Sequence, residues 1–399
     1  MLKDFKNFTK EITINRSCPI CSCTGNTFLF EQNFGNKAIA LMEKYNVVVC
    51  KDCGFCYANN IPSQKEFNNY YAEMSKYEFD YKAGLVSDEY LDHFNKMSRF
   101  LIPYIKEKNE KILDIGCSTG ALLSILKSHG YSNLLGIDPS PSCVETVKQL
   151  YNIEAVANTI SSFKSDKNFD VIILSAVLEH FVDFTDAMQK IRSLLNDEGL
   201  LFIEIPDAER FDSYIYTPFQ QFSIEHINYF SQYSVKNLLI KFSFEIIEIQ
   251  KNENRINQNI DPNILVLSRK SNKNNFEITR DDVCELKLNN YISESYKMDI
   301  KLKKIIQEKL SNKNKIIIWG VGTHTQRLIG SGLDCSKILF FVDSNTNYKG
   351  KMINGIEVKL PDEIKENIPI LVSTYSYQDE VVRQIKDELK LTNEIIQLY

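Results

Sequence analysis

From Lys111 onward the chain alternates short apolar runs with amphipathic stretches: KILDIG, NLLGID, IEAVA, FDVIILS and GLLFIEIP. Runs this short and this uniformly apolar suit strands buried on both faces, so the pattern predicts a parallel sheet wrapped by helices. FEIIEIQ and NILVLSR, separated by a polar turn, predict a closing hairpin on the same sheet. Ahead of this unit, residues 63 to 108 are aromatic-rich and helical in pattern; behind it, residues 271 to 314 are rich in Lys, Asn and Glu and read as a linker followed by a helix. A second alternating unit begins at KIIIWGVG, continues through KILFFVD and IPILVST, and ends at EIIQLY. The expected fold is α/β: a small N-terminal module over 1–65, a central Rossmann-like domain over 66–270 with a helical lead-in at 66–108, and a linker helix with a C-terminal Rossmann-like domain over 271–399.

A chain of 399 residues is too long for one ordinary core, in keeping with that division. Its net charge of −5 offers no broad basic field for a phosphate backbone, which argues against a nucleic-acid partner. No apolar run reaches the roughly 18 to 20 residues needed to cross a bilayer, and MLKDFKNFTKEITINR lacks the apolar segment of a signal peptide. The expectation is a cytoplasmic monomer or homodimer with no membrane partner. In that reducing compartment clustered cysteines bind metal more often than they form disulfides.

Six of the ten cysteines fall between Cys18 and Cys56. Cys18-Pro-Ile-Cys21 and Cys50-Lys-Asp-Cys53-Gly54 form two C-x-x-C pairs, each able to wrap a turn around one ion, with Gly25 and Gly54 relieving the backbone beyond the thiolates. Together they supply four sulfurs, the donor set of structural Zn2+. Cys23 and Cys56 are surplus, and spacing alone allows either to replace a neighbour; reduced, unmetallated thiols or a redox pair are the alternative. Four thiolates leave no open coordination position, so chemistry belongs elsewhere.

The strand KILDI runs into Gly116-Cys117-Ser118-Thr119-Gly120 and a helix, with Asp114 just before the turn and Asp138 ending the next strand. Glycines let a backbone approach a ligand, Asp114 favours a cationic amino acid over a pyrophosphate, and Asp138 can accept both hydroxyls of a ribose. This stretch resembles the class I S-adenosylmethionine-dependent methyltransferases, whose first motif, D-x-G-x-x-x-G, matches Asp114, Gly116 and Gly120. The resemblance implies that Asp138 grips the ribose, that Ile137 and Pro139 border the purine, and that Ile160 and Ser161 lie near the adenine edge. A dehydrogenase turn is the alternative, but the tight G-x-G-x-x-G is absent.

After the fifth strand the chain inserts PDAERFDSYIYTPFQQFSIEHINYFSQYSV. In such a fold this insertion covers the carboxyl edge of the sheet and sets Glu225-His226 where an acceptor would sit. His226 suits proton removal near neutral pH, Glu225 can orient it, and His180 closes the fourth strand from another direction. Tyr77, Tyr81 and Tyr229 are candidate donors to a developing oxyanion.

Over nearly its whole length the chain is similar to the zinc-containing, three-domain sugar C-methyltransferases that act on nucleotide-linked 4-keto deoxysugars. The matching pieces are the paired C-x-x-C, the D-x-G-x-x-x-G loop, LEH ending at His180, EHINYFS with Glu225, His226 and Tyr229, and the later GVGT…VDSN…GIEV…P segment. The resemblance implies that a histidine or tyrosine removes the proton alpha to the ketone and that the enolate attacks the donor methyl. One departure is visible: Tyr81 and His93 are in register in YEFDYKAGLVSDEYLDHF, but the family's paired serines are missing. That leaves O- or N-methylation of another nucleotide-sugar or small molecule open. Gly320-Val321-Gly322-Thr323 followed by Asp343 resembles a nucleotide-binding half. It carries a rival reading, an NAD-dependent oxidoreductase or epimerase, beside that of a non-catalytic zinc-stapled binding module.

Overall fold

The computed structural model describes residues 15–35, 41–74, 88–256, 259–272 and 277–399. The strands β1 (Asn26–Asn33), β2 (Lys44–Cys50) and β3 (Cys56–Asn59) form an antiparallel meander next to the cysteines. Helices Gln64–Met74 and Asp88–Leu101 follow, within the stretch whose pattern predicts helix. The apolar runs then become β4 (Lys111–Ile115), β5 (Asn133–Asp138), β6 (Glu154–Ala157), β7 (Phe169–Ser175) and β8 (Leu195–Pro206), all parallel. β9 (Asn228–Tyr229), at the end of the insertion, returns to pair with β3. β10 (Phe244–Ile256) and β11 (Asn259–Lys270) form the expected hairpin, with β11 against β8 and β10 outermost.

The resulting order is β10-β11-β8-β7-β4-β5-β6. The chain reverses direction of travel between β4 and β7, which opens a crevice at the carboxyl edge of those strands. β4 and β7 tolerate that central place because Ile112, Leu113 and Val171 through Leu174 are buried on both faces. The C-terminal sheet contains β12 (Ile316–Trp319), β13 (Ile338–Val342), β14 (Met352–Ile353), β15 (Ile356–Lys359), β16 (Ile370–Val372) and β17 (Ile395–Gln397), ordered β14-β15-β13-β12-β16-β17. All but β14 are parallel. No helix among the described residues is long and apolar enough to cross a membrane.

Helix ends are set by local chemistry. Ser140 caps Pro141–Tyr151 by accepting Cys143 N at 3.3 Å, Pro141 pre-sets the first turn, and Asn152 ends the helix in the left-handed conformation. Asp281 caps the 29-residue helix Asp282–Leu310 through Val283 N and Cys284 N. The same carboxylate accepts Ser231 Oγ, so the N-termini of two helices are joined. Gly54 (φ +74°) packs so closely here that a Cβ would stand 2.1 Å from Asp281 O, which docks the second cysteine turn on the long helix.

The cysteine module and the central sheet share one core, with Phe55 packed on Phe184 and Phe230. Arg16 lies buried in that seam. Its Nη1 donates to Ala58 O (3.0 Å) and Ile227 O (3.3 Å); its Nη2 donates to Val182 O (2.6 Å), Phe181 O (3.3 Å) and Asn228 Oδ1 (2.9 Å). Burial lowers its pKa to about 10, which leaves it a cation at neutral pH. Arg16→Met keeps most of the volume but strands those carbonyls, and should lower unfolding stability by about 3 kcal/mol, measurable by urea denaturation followed by circular dichroism.

Candidate functional site

The donor half of the site is the turn after β4. Gly116 (φ +74°) and Gly120 (φ +85°) both occupy the left-handed region, and a Cβ at Gly116 would lie 2.6 Å from Val177 Cγ2. Gly116 N and Cys117 N donate to Ile137 O at 2.7 and 3.1 Å, which ties the turn to β5. Asp138 extends that tie: its Oδ2 accepts Ser118 N at 2.9 Å and its Oδ1 accepts Ser140 N at 2.8 Å. The Cys117 thiol is pushed well above its usual range by burial, and it packs on Gly136, where a Cβ would stand 2.6 Å from its sulfur. Pro139 is half-buried beside buried Ile137, while Ile160 is buried and Ser161 exposed on the loop after β6.

Asp114 is 3% exposed. Burial, and secondarily the Asp138 carboxylate, pushes it up to about 8, and no cation among the described residues counters that rise. A carboxylate desolvated in this way is prepared for a positive group that the chain itself does not provide. The buried Ser118 hydroxyl, which has no hydrogen-bond partner among the described residues, lies in the same turn.

The acceptor half is assembled from three segments. LEH (Leu178–His180) is a short 3₁₀ turn after β7, and EHIN (Glu225–Asn228) lies against it: Ile227 N donates to Glu179 O at 2.9 Å, and Asn228 Nδ2 donates to Phe181 O at 2.7 Å. His180 and His226 thereby meet edge to face, their ring centroids 5.1 Å apart. His180 Nδ1 lies 2.9 Å from Glu225 O and 3.0 Å from the Tyr71 hydroxyl, and Tyr70 donates to Glu225 Oε1 at 3.3 Å. Glu225 is buried and His226 half-buried.

Of the residues expected here, His180, Glu225 and His226 come together. Tyr229 does not join them. Pairing of β9 with β3 turns its ring into an aromatic core with Phe222, where its hydroxyl donates to Tyr45 at 3.1 Å and burial raises its pKa well out of reach of neutral pH. Tyr77 and Tyr81 lie outside the described residues. Sequence reasoning missed Tyr70, Tyr71, Glu179, Asn228 and Arg16. NNYYAEM carried a signal for the tyrosines, two adjacent phenols in the stretch whose pattern predicts helix; the other three are recognisable only from contacts distant in sequence.

The cysteine cluster is formed by the four residues of the C-x-x-C pairs. The sulfurs of Cys18, Cys21, Cys50 and Cys53 all lie within 4.8 Å of one another, with Cys18 to Cys53 at 3.5 Å and Cys21 to Cys50 at 3.4 Å. Cys23 turns its sulfur to Gly25, and Cys56 to Gly54 O. Gly54 adopts the left-handed conformation after the second pair, but in the first turn Ser22 (φ 65°), not Gly25, takes it.

Comparison with known proteins finds matches in two parts of the chain. The family described as "Methyltransferase domain" matches residues 87–249, and "C2185-like, N-terminal" matches residues 312–396. A ubiquinone biosynthesis O-methyltransferase from Rickettsia felis is 22% identical over 216 residues, which is 49% of this chain and 84% of that protein. One from Coxiella burnetii is 29% identical over 125 residues, 30% of this chain and 53% of that protein. The PH0226 protein from Pyrococcus horikoshii is a structural neighbour with TM-score 0.39 and 19% identity, covering 48% of this chain and 95% of that one. Residues 87–249 are a methyltransferase domain, and the protein is an S-adenosylmethionine-dependent methyltransferase. For the central turn this sets aside the dehydrogenase reading.

The Asp114 environment has a measurable signature. Unfolded, an aspartate ionises near pH 3.9, about its free value, whereas in the ligand-free fold Asp114 holds its proton up to about 8. Between those values the native state binds the extra proton, so this residue costs the ligand-free fold progressively more stability as pH rises. Asp114→Asn should leave stability nearly unchanged at pH 4, raise it by several kcal/mol at pH 8, and abolish binding of S-adenosylhomocysteine; thermal melts across pH and calorimetry test both.

Proposed function

We propose that the protein transfers a methyl group from S-adenosylmethionine to the carbon beside the ketone of a nucleotide-linked keto-sugar, with a structural zinc ion in the N-terminal module. The observation that carries this reading is the histidine pair, His180 with His226, set beside tyrosine hydroxyls on the donor side of the sheet. A C–H bond alpha to a ketone needs a base working near neutral pH and a hydrogen-bond donor for the enolate oxygen. This cluster offers both kinds of group.

S-adenosylmethionine supplies an electrophilic methyl on a sulfonium. Asp114 is suited to its cationic amino-acid end, Asp138 to the ribose beyond the turn clamp it already makes, and Ile137, Pro139, Ile160 and Ser161 to the adenine. His226 takes the proton from the acceptor carbon, the freed electron pair becomes the enolate, and a tyrosine hydroxyl donates to its oxygen. That pair then forms the new carbon–carbon bond as the carbon–sulfur bond breaks. Holding acceptor and donor in line is the largest contribution expected of the scaffold.

The cysteine cluster suits zinc on its donor set and size: zinc–sulfur bonds of about 2.3 Å imply sulfur–sulfur edges of about 3.8 Å, and the observed close pairs are 3.4 and 3.5 Å. Its place in the shared core makes it a folding element.

A second reading, methylation of a hydroxyl, is favoured by the names of the relatives above, and the same histidines could deprotonate such an acceptor. Incubation with ¹³C-methyl-labelled S-adenosylmethionine and a nucleoside-diphosphate 4-keto-6-deoxysugar distinguishes the two. A ¹³C resonance in the C-methyl range supports the first reading, an O-methyl resonance the second, and no labelled sugar overturns both for this acceptor class. His226→Ala should retain S-adenosylhomocysteine affinity while turnover falls by roughly 10²-fold or more. Metal analysis should find about one zinc per chain, and Cys18→Ser combined with Cys21→Ser should lose it together with the cooperative melt of the N-terminal module.

A further inference from the structure

The face of the central sheet that packs on helix Asp88–Leu101 changes character at its carboxyl edge. Ile173, Phe202 and Leu265 meet Met97 in one apolar core. One step further along that face the side chains turn polar. Residues two apart on a strand share a face, and so do partners across a ladder, so Ser175 follows Ile173, Glu204 follows Phe202, and Asn263 and Asp261 precede Leu265. Ser175 Oγ lies 3.4 Å from Met97 Sδ, and His93 stands one turn before Met97 on the same side of the helix, which therefore roofs the row. Asp114, paired with Ile173, belongs to the same face.

Glu204 is 5% exposed and accepts Ser175 Oγ at 3.0 Å on one oxygen and Asn263 Nδ2 on the other. A carboxylate only accepts, so the Asn263 amide is held with its nitrogen toward Glu204 and its oxygen turned away. That oxygen, Oδ1, belongs to a side chain 2% exposed and has no hydrogen-bond partner among the described residues. His93 Nδ1, on the roofing helix, is buried in the same condition. Asp261 brings the two sides together: it shares the face of Asn263, burial holds its carboxyl above the ordinary range, and the His93 ring opposes that rise. A buried polar atom without a partner is costly, so the Asn263 oxygen calls for a donor from outside the chain.

The row borders the reaction site. In sheet order it runs on from Asp138 on β5 and Asp114 on β4 to Ser175 on β7, Glu204 on β8 and Asn263 on β11, past the span assigned to the donor. His180 follows β7 directly, and Glu204 stands close enough to Glu179 to raise that carboxyl further after burial has done so. Both Glu204 oxygens are already engaged, and the neutral amide oxygen beside them suits a neutral donor, a hydroxyl. We infer that Asn263 is a specificity-determining residue for the acceptor: its Oδ1 accepts a hydrogen bond from a ring hydroxyl of the keto-sugar, while Glu204 and Ser175 hold the amide in the accepting orientation. The inference rests on the keto-sugar reading above and narrows it to acceptors that keep that hydroxyl.

Methyl transfer by the full chain is measured with three acceptors: a nucleoside-diphosphate 4-keto-6-deoxysugar and its 2-deoxy and 3-deoxy analogues. In the wild type kcat/KM should fall roughly 10²-fold or more on one of the analogues, because the buried amide oxygen is then left unpaired. Asn263→Leu, which keeps the branched shape, should lower kcat/KM for the hydroxylated acceptor by a similar factor, close the gap to that analogue and leave affinity for S-adenosylhomocysteine unchanged. A merely structural role would lower all three acceptors together. Glu204→Gln, which frees the amide to reverse, should narrow the preference as well. Equal wild-type kcat/KM on all three acceptors overturns the inference whether or not the variants fold, since an ordered water then answers Oδ1. So does a natively folded Asn263→Leu that keeps the wild-type preference, or one that loses S-adenosylhomocysteine affinity, which would turn Oδ1 toward the donor. Transfer to none of the three removes the acceptor class and this inference with it, whereas equal transfer to all three removes the inference alone, so the two failures are separable.

Discussion

The site depends on one buried cation. The Arg16 guanidinium reaches backbone carbonyls of β3, of the turn after LEH and of EHIN, and also the side chain of Asn228, which itself holds the LEH carbonyls. Those segments are remote in sequence; β9 pairs with β3, and the guanidinium ties that pair to the turn after LEH, which among the described residues has no strand pairing with it. A planar fork of donors can satisfy carbonyls that point in different directions, which neither a lysine nor an apolar side chain could do. The desolvation this requires shows in the lowered Arg16 pKa, and it is tolerated because carbonyl oxygens and the Tyr57 ring surround the charge. Arg16 stands two residues before Cys18, so folding of the cysteine turn and placement of the guanidinium are one event. That links a module with no chemistry of its own to the geometry of His180 and His226.

Much of the scaffold was legible because its strands are extreme. β4 and β7 are buried on both faces, so their residues are apolar without alternation, and the hairpin of β10 and β11 announces itself by a polar turn between two long runs. The short strands β14 and β15 escaped notice since two to four residues at a sheet edge leave no periodic signal. Spacing also picks out the four sulfurs that cluster: a C-x-x-C pair returns both thiols to one side of a tight turn, whereas Cys23 and Cys56 turn to the backbone of Gly25 and Gly54.

The site was half legible. His180, Glu225 and His226 stand out because histidines are scarce in this chain and both segments leave the carboxyl edge of one sheet. EHINYFS invites the reading that Tyr229 joins them, yet alternation along β9 sends it to the opposite face, against Tyr45 and Phe222. Glu179 stands in LEH next to His180 with nothing in the sequence to mark it; only tertiary structure shows it sealed from water. The contacts of Arg16 span 42 to 212 positions, a distance at which no local pattern survives.

The two glycine turns of the chain show which aspartate speaks of a ligand. In the C-terminal unit Gly320 N donates to Val342 O at 2.7 Å, while Asp343 accepts Val321 N at 3.0 Å and Asn345 N at 2.9 Å. This is the same clamp that Asp138 makes in the central unit with Ser118 N and Ser140 N. An aspartate after the second strand is therefore first a fastening of the turn, and its presence alone does not distinguish a binding unit from a packing one. The difference lies two residues before the first glycine: Asp114 in KILDIG, but buried Ile318 in KIIIWG. The charges near the second turn are also answered from within, Arg327 by Asp299 at 2.6 Å, and His324, held neutral by burial with a pKa of about 3, by the Tyr399 hydroxyl at 2.8 Å. Of the two turns, the central one has in Asp114 a buried carboxylate that no cation among the described residues answers, whereas Asp343 is answered by two backbone N–H groups.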